Sequence, residues 1–212
     1  MNIKDNAANI VSISRIFVAF IAIGLLFKPS TCAYITAVVL TIIAFIMDGV
    51  DGYVARKFNQ SSEWGSVLDI MGDRIVEISY WIAFAILGYL AGDNMALNAM
   101  FPIVCAARAF TTDSIRSVAL SKGMTAFGEK SMQSTSWGKF ICASRFMRIS
   151  YAVAKVVAFV LLIVGATPGL DDKFANPINL VAVICAWIAI IFCVVRAIPV
   201  VAESGKLFND AK

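Results

Sequence analysis

Histidine is absent from all 212 residues of the chain. Without imidazole, the chain can build neither a Ser-His-Asp triad nor a Cys-His pair, and it lacks the nitrogen ligand of most zinc sites. The five cysteines form no C-x-x-C pair, so neither a disulfide framework nor a thiolate metal site is indicated. Any catalysis must therefore use carboxylates, amines, guanidinium groups, hydroxyls or hard metal ions.

Charged residues are also scarce, at 15% of the chain against 60% hydrophobic residues, with a mean hydropathy of +0.82. A soluble domain has about a quarter charged residues, so this composition is that of a membrane protein. The basic residues form no cluster interleaved with aromatics, which argues against a nucleic-acid partner. No internal repeat or low-complexity tract occurs, and a single domain over residues 1–212 is predicted.

Six apolar stretches are long enough to cross a hydrocarbon core about 30 Å thick as helices. They predict an all-α, polytopic membrane protein in contact with the lipid bilayer. The first span is interpreted as retained rather than as a cleaved signal, and a short interfacial helix is expected at Asn6–Arg15. The predicted spans are residues 9–27, 34–57, 64–91, 97–121, 143–166 and 176–199.

The distribution of basic residues predicts the orientation of these spans. One side of the membrane would hold only Lys28 and Lys173. The other would hold both termini and the connections near residues 57–63 and 121–142, with Lys4, Lys57, Lys122, Lys130, Lys139, Lys206 and Lys212. The positive-inside rule therefore places both termini in the cytoplasm.

Four aspartates interrupt this apolar pattern in the segment MDGVDGYVARKFNQSSEWGSVLDIMGD, residues 47–73. Asp48 and Asp51 are spaced i,i+3, and Asp69 and Asp73 are spaced i,i+4, so each pair shares one helical face. A short connection makes the two helices an antiparallel hairpin, on which the pairs can face each other. One carboxylate in a membrane helix costs about 2.5–3.5 kcal/mol. A water-filled cavity with bound cations would offset this cost for all four carboxylates.

Oxygen ligands favour Mg²⁺, Mn²⁺ or Ca²⁺. Four carboxylates from two helices suit a pair of divalent ions about 3.5–4 Å apart. Such a pair stabilises both the attacking and the leaving oxygen in a phosphoryl displacement. Gly52 and Gly65 lie one turn from the acids and would let a ligand approach the backbone. Ala55 keeps the next turn small, and Arg56 is placed to meet a phosphate oxygen.

Other interpretations of this segment remain open. The glycines could serve helix packing, with the acids paired to Arg56, Lys57 and Arg74. The same carboxylates could line a divalent-cation transporter. Membrane prenyltransferases also use aspartates and Mg²⁺ on diphosphates, but on two distant helices, whereas one hairpin carries all four acids here.

The spacing Asp48-x₂-Asp51-Gly52-x₂-Ala55-Arg56-x₈-Gly65-x₃-Asp69-x₃-Asp73 matches every fixed position of the CDP-alcohol phosphatidyltransferase signature. The six-span layout resembles that family as well. The resemblance implies an enzyme in which an alcohol hydroxyl attacks the β-phosphorus of CDP-diacylglycerol and CMP is released, with two Mg²⁺ or Mn²⁺ ions. It also implies a homodimer in a bacterial-type inner membrane, with the active site facing the cytoplasm.

The resemblance assigns roles by position. Asp48, Asp51 and Asp69 would bind the metal ions. Asp73 would ligate or abut a metal ion and act as general base. The donor-binding residues would be Gly52, Ala55 and Gly65, which admit the nucleotide, and Arg56, which meets the diphosphate.

The second half of the chain must specify the acceptor. Arg108, Thr112 and Arg116 are spaced i, i+4, i+8 on one face of the fourth span, and Lys139 follows later. Arg108, Arg116 and Lys139 are interpreted as an anion site for a phosphorylated alcohol, facing the metal ions. Their order resembles that of phosphatidylglycerophosphate synthases, which implies sn-glycerol 3-phosphate as the acceptor.

The structural alternative pairs Arg116 with Asp113 and places Arg145 and Arg148 at the membrane interface. Ala109 follows Arg108, where those synthases usually carry an acid. Inositol phosphate, serine and phosphatidylglycerol therefore remain open as acceptors.

Overall fold

The structure is a computed structural model that describes residues 7–57, 63–124, 132–205 and 207. Within these ranges, the side chains at 7–8, 51–57, 63–64, 66, 143 and 145 are outside the description. The described residues form helices and short turns with no strand, which confirms the all-α prediction. The helices are α1 Ala7–Leu26, α2 Thr31–Lys57, α3 Glu63–Ile86, α4 Met95–Ser121, α5 Ser136–Gly138, α6 Arg145–Gly165 and α7 Asp172–Ala202, with a π-helical turn at Lys139–Ala143.

Five helical segments are long and apolar enough to cross a membrane. The sixth long helix, α3, has 24 residues, but charged side chains occupy its first half. Large apolar side chains point outward from all six long helices, as expected where lipid is the solvent; examples are Phe17, Ile46, Ile86, Ile103, Ile149 and Ile191. The chain is an integral membrane protein.

The helices depart most clearly from the predicted layout at two places. The helix expected at Asn6–Arg15 is continuous with the first span, because α1 runs unbroken from Ala7 to Leu26. The third span was predicted to reach residue 91, but α3 ends at Ile86. Gly88 and Gly92 then adopt φ of 72° and 55°, and a Cβ at Gly88 would lie 3.0 Å from the Gly92 carbonyl oxygen.

The chain divides into two compact units, and the first comprises Met1–Pro102 and Val156–Val183. Here α1 packs against α2 and α3. Fully buried alanines on α1 and α2 allow close approach of the helices: Ala19, Ala22, Ala37 and Ala44.

Aromatic side chains fill the rest of the first unit. Phe159 lies with its ring centroid 4.8 Å from that of Trp81 and 5.0 Å from that of Tyr80. The Tyr80 hydroxyl lies 2.8 Å from that of Thr41, so the buried phenol keeps a hydrogen-bond partner. This packing supports α3 beyond its charged half.

The second unit comprises Ile103–Lys155 and Ile184–Lys212. Its core contains Ala119, Met132, Cys142, Val200 and Leu207. The helix α4 ends in a left-handed turn at Gly123, with φ of 75°, where the Met124 N–H donates to the Ala119 carbonyl at 3.0 Å.

Candidate functional site

Three of the four predicted metal-binding aspartates come together in the first unit. Asp48 on α2 and Asp69 and Asp73 on α3 each offer a carboxylate oxygen, and these oxygens all lie within 4.8 Å of one another. The acids face solvent, with 40%, 53% and 42% of their side chains exposed. The i,i+4 spacing on α3 and the packing of the helices therefore build the expected carboxylate cluster.

The donor set of this cluster fits a hard divalent ion. Oxygens on opposite sides of an ion bound at about 2.1 Å are about 4.2 Å apart, which is compatible with three oxygens that all lie within 4.8 Å of one another. Carboxylate oxygens are the ligands that Mg²⁺ and Mn²⁺ prefer. The acidic groups could therefore hold a metal ion.

A basic residue from another helix also reaches this cluster. Arg15 on α1 forms an ion pair with Asp48, and its guanidinium nitrogens lie 3.2 Å from Asp73 and 3.8 Å from Asp69. Its side chain is only 3% exposed. Arg74 lies 3.5 Å from Glu77, and its pairing with the acids stays a prediction.

The remaining signature residues are placed only in part. Asp51, Gly52, Ala55 and Arg56 lie on the last turns of α2, but their side chains are outside the described residues. Gly65 lies in the first turn of α3 and is half-buried. Their roles therefore stay predictions.

The two predicted acceptor arginines on α4 have different surroundings in the second unit. Arg116 lies 3.9 Å from Asp113, and both side chains are partly exposed. Arg108 is buried, and its Nε and Nη1 atoms have no hydrogen-bond partner among the residues that the structure describes. The Thr112 hydroxyl donates to the Arg108 carbonyl at 2.9 Å, so Thr112 serves the helix.

Three cations surround one buried phenol ring. The guanidinium carbon of Arg108 lies 5.9 Å from the ring centroid of Tyr151, that of Arg196 lies 5.3 Å from it, and the Lys155 Nζ lies 5.3 Å from it. The Nε of Arg196 is buried and also has no hydrogen-bond partner within the described part of the chain. Stacking on one ring offsets only a part of the free energy needed to bury several charges. An anion would complete this cationic cluster, which comprises Arg108, Lys155 and Arg196.

Lys139 is exposed at the start of the π-helical turn, directly after a carboxylate clamp. Glu203 accepts hydrogen bonds from the Ser134 N–H at 2.5 Å and from the Thr135 hydroxyl at 2.5 Å. Burial alone would raise the pKa of Glu203, but these hydrogen bonds outweigh it, and the pKa is lowered. The clamp fixes the chain just before Lys139.

The fold and the site define an integral membrane protein with a carboxylate centre suited to hard metal ions. The family model for CDP-alcohol phosphatidyltransferase matches residues 5–195, which is most of the chain. The chain belongs to the CDP-alcohol phosphatidyltransferase family.

Several curated relatives are similar to parts of the chain. A CDP-diacylglycerol–glycerol-3-phosphate 3-phosphatidyltransferase of Aquifex aeolicus is 29% identical over 44% of this chain and 48% of its own length. A probable CDP-diacylglycerol–inositol 3-phosphatidyltransferase of Arabidopsis thaliana is 40% identical over 32% of this chain and 28% of its own length. A CDP-diacylglycerol–serine O-phosphatidyltransferase of Helicobacter pylori is 34% identical over 47% of this chain and 42% of its own length. The chain thus spans half or less of each relative, and their names differ in the acceptor.

No solved structure matches the chain.

Sequence reasoning missed four residues that the structure brings to these clusters: Arg15, Lys155, Arg196 and Glu203. A signal was present for the first three, because a basic residue inside an apolar span is a functional candidate by default. In the predicted layout, Arg15 only ends the interfacial helix Asn6–Arg15, and Arg196 lies near the end of the last span. Glu203 had no such signal, since its hydrogen-bond donors lie 68 and 69 positions earlier in the chain.

Proposed function

We propose that the chain transfers a phosphatidyl group from CDP-diacylglycerol to the hydroxyl of sn-glycerol 3-phosphate and releases CMP. The observation that carries this proposal is the convergence of Asp48, Asp69 and Asp73 from two helices, at the spacing of the family signature. A relative named for glycerol 3-phosphate supports the choice of acceptor.

In this reaction, the acceptor hydroxyl oxygen bonds to the β-phosphorus of the donor. The bond from that phosphorus to the bridging oxygen breaks, and CMP leaves with this oxygen. Asp73 takes the hydroxyl proton as general base. Asp48, Asp51, Asp69 and Asp73 would hold two Mg²⁺ or Mn²⁺ ions, which when bound neutralise the diphosphate and polarise the attacking oxygen.

The donor would bind along the last turns of α2 and the first turn of α3. Gly52, Ala55 and Gly65 would leave room for the nucleotide, and Arg56 would donate hydrogen bonds to the diphosphate. These four roles are supported by the match to the family signature.

The acceptor phosphate would bind Arg108, Arg116 and Lys139, together with Arg196 and Lys155. Support comes from the buried nitrogens of Arg108 and Arg196, which phosphate oxygens would pair. Serine carries no phosphate and would not supply phosphate oxygens to these buried nitrogens. An inositol phosphate also supplies one and is the alternative acceptor, since the relatives include an inositol phosphatidyltransferase.

We also propose a bacterial-type inner membrane as the location, with both termini and the active site facing the cytoplasm, and a homodimer as the assembly. The excess of lysines on one side of the predicted spans supports the orientation. The dimer follows from the family resemblance.

The test is CMP release from CDP-diacylglycerol by the purified protein, with Mg²⁺ or Mn²⁺ and one acceptor at a time: glycerol 3-phosphate, inositol 1-phosphate, serine or phosphatidylglycerol. We expect CMP release with glycerol 3-phosphate and its loss with EDTA. Asp73→Asn should lower kcat at least about 100-fold, the lower range for losing a general base. Asp93→Asn, in the exposed turn after α3, is the matched control and should leave kcat unchanged.

Full activity of Asp73→Asn, or full activity without divalent ions, would contradict this mechanism. Release of CMP with a different acceptor alone would keep the reaction class and reassign the alcohol. Metal flux in proteoliposomes without CMP release would instead favour the transporter.

A further inference from the structure

Arg15 reaches the carboxylate cluster from a helix that the family signature does not include. Its guanidinium pairs with Asp48 and lies within 3.8 Å of both acids on α3. Its Nη2 also lies 3.4 Å from the Asp69 backbone carbonyl, to which it donates. The guanidinium thus contacts the three proposed metal ligands whose side chains the structure describes.

The burial of the two partners is unequal. The Arg15 side chain is 3% exposed, whereas that of Asp69 is 53% exposed. The acids therefore open toward solvent, and the guanidinium approaches them from the interior. A cation arriving from solvent would meet carboxylates that already share a positive charge.

A glycine on α3 makes room for this contact. A Cβ at Gly72 would lie 2.7 Å from the Arg15 Nη2 atom. A larger residue at position 72 would force the guanidinium to shift from its present place between the acids. The site is thus shaped to admit the arginine as well as to present the acids.

A guanidinium and a divalent ion compete for the same carboxylates. An ion bound at about 2.1 Å uses oxygen lone pairs that the guanidinium hydrogens partly occupy, and the two like charges repel. We propose that Arg15 is a resident counter-ion of the carboxylate cluster, which divalent ions must displace, so that Arg15 sets the affinity of the metal site. The inference rests on the proposed function for the identity of the metal ligands.

The direction in which metal affinity changes when Arg15 is replaced separates this role from a structural one. If Arg15 only supported the cluster, its removal would misplace the acids and weaken metal binding. If Arg15 competes with the ions, its removal should tighten metal binding while lowering the melting temperature of the metal-free protein. The two readings therefore predict opposite changes in the dissociation constant.

The experiment measures Mn²⁺ binding to the full-length protein in detergent without nucleotide, from the EPR signal of free Mn²⁺. We expect Arg15→Met to lower the Kd for Mn²⁺ at least about tenfold, since one like charge near the ion is removed. Arg15→Lys keeps the charge and should stay within about threefold of the wild type. Gly72→Ala should lower the Kd in the same direction, because the added methyl crowds the guanidinium.

Lys28→Met controls for net charge, because Lys28 is exposed and lies 13 residues beyond Arg15, or about 20 Å along a helix. An unchanged or raised Kd in Arg15→Met would overturn the proposal, as would the absence of Mn²⁺ binding by the wild type. If Arg15→Met does not fold, Gly72→Ala decides, and an unchanged or raised Kd there overturns it. CMP release by the wild type is scored separately, so loss of the proposed reaction is distinct from failure of the competition.

Discussion

Arg108 and Arg116 lie on one face of α4, yet among the described residues an acidic neighbour is seen only for Arg116. Arg116 lies 3.9 Å from Asp113, whereas Arg108 is buried against Tyr151 with two nitrogens that lack a hydrogen-bond partner among the described residues. A buried, incompletely paired cation lowers the stability of a fold. Such a residue is expected where a ligand supplies the missing partner, so the two arginines should contribute unequally to acceptor binding.

Replacement of Arg108 by Met should raise the KM for the acceptor phosphate about 10- to 100-fold, the loss expected for a hydrogen bond to a charged group. The KM for CDP-diacylglycerol should change much less. The melting temperature should stay equal or rise, because an unsatisfied buried charge is removed. Arg116→Met should raise the acceptor KM less, since part of its charge is already paired. Steady-state kinetics with both substrates varied checks these expectations.

Lys173→Met, an exposed lysine at the start of α7, is the control for loss of one positive charge. Equal increases in both KM values for Arg108→Met would argue against an acceptor site. A fall in melting temperature would mean that Arg108 is satisfied in the folded protein.

The aspartates of the candidate site could be predicted because their spacing along a single helix already brings them together. Asp69 and Asp73 share a face of one helix, so i,i+4 periodicity alone brings them together. The contact of Arg15 with Asp48 depends instead on how α1 packs against α2. The sequence shows an arginine at residue 15 beside an apolar run, but neither its burial nor the acids that it contacts.

At the level of elements, the most specific arrangement is the clamp between the end of α7 and the start of α5. The Glu203 carboxylate accepts from Ser134 and Thr135, and the Thr135 hydroxyl oxygen accepts from the Gly138 N–H at 3.2 Å. Lys139 follows directly in the chain. The position of this proposed acceptor ligand therefore depends on a carboxylate that itself contacts no substrate.

Replacement of Glu203 by Gln should destabilise the protein by about 1–3 kcal/mol, because an amide NH₂ would then face hydrogen-bond donors in a buried site. The pKa of Glu203 is lowered in the folded protein. The ionised carboxylate therefore contributes its full share to the stability of the fold above the usual glutamate pKa of about 4.5. It is lost as the pH falls through the folded-state pKa. Melting temperatures of wild type and Glu203→Gln should therefore differ at pH 7 and converge only as the pH falls well below 4.5.

Gly138→Ala is a matched test that leaves every charge in place, since its methyl would press on the Glu203 carboxylate and lie 2.9 Å from the Thr135 hydroxyl oxygen. Both Gly138→Ala and Glu203→Gln should raise the acceptor KM, because each disturbs the clamp that fixes the chain before Lys139. A pH-independent difference between wild type and Glu203→Gln would show that the carboxylate charge is not what holds the clamp.

The clamp could not be predicted from the sequence, for a physical reason. The predicted fifth span began at residue 143, and the segment before it was expected to be a polar loop. A three-residue helix and a π-helical turn have no periodicity to read, and the hydrogen bonds that fix them come from a residue about 70 positions away. The long spans, by contrast, follow from apolar runs that any lipid-facing helix needs.

For the whole molecule, the number of membrane spans depends on whether α3 crosses the bilayer. Its 24 residues extend about 36 Å, enough for a core about 30 Å thick. Asp69, Asp73 and Arg74 lie in its first half and Glu77 just beyond the middle, while Ile78–Ile86 carries no charge. If α3 crosses, the chain has six spans and both termini share a side. If it does not, the five remaining spans place the termini on opposite sides.

The protein carries its own reporter for this question. Cys32 is exposed near the start of α2, whereas Cys105, Cys142 and Cys193 are buried. With the N-terminus in the cytoplasm, Cys32 lies outside and should react with a membrane-impermeant maleimide in intact spheroplasts. Cys32→Ser should abolish that labelling, which controls for the remaining thiols.

A second reporter at the other end of the chain then counts the spans. Gly205 is exposed just beyond α7, and a Cβ there meets nothing within 4 Å, so Gly205→Cys should fold normally. In the Cys32→Ser background, six spans predict labelling of Gly205→Cys only after the membrane is permeabilised. Labelling of both positions in intact spheroplasts would mean that α3 does not cross. Labelling of Gly205→Cys but not of Cys32 would invert the proposed orientation and place the carboxylate cluster on the outer face.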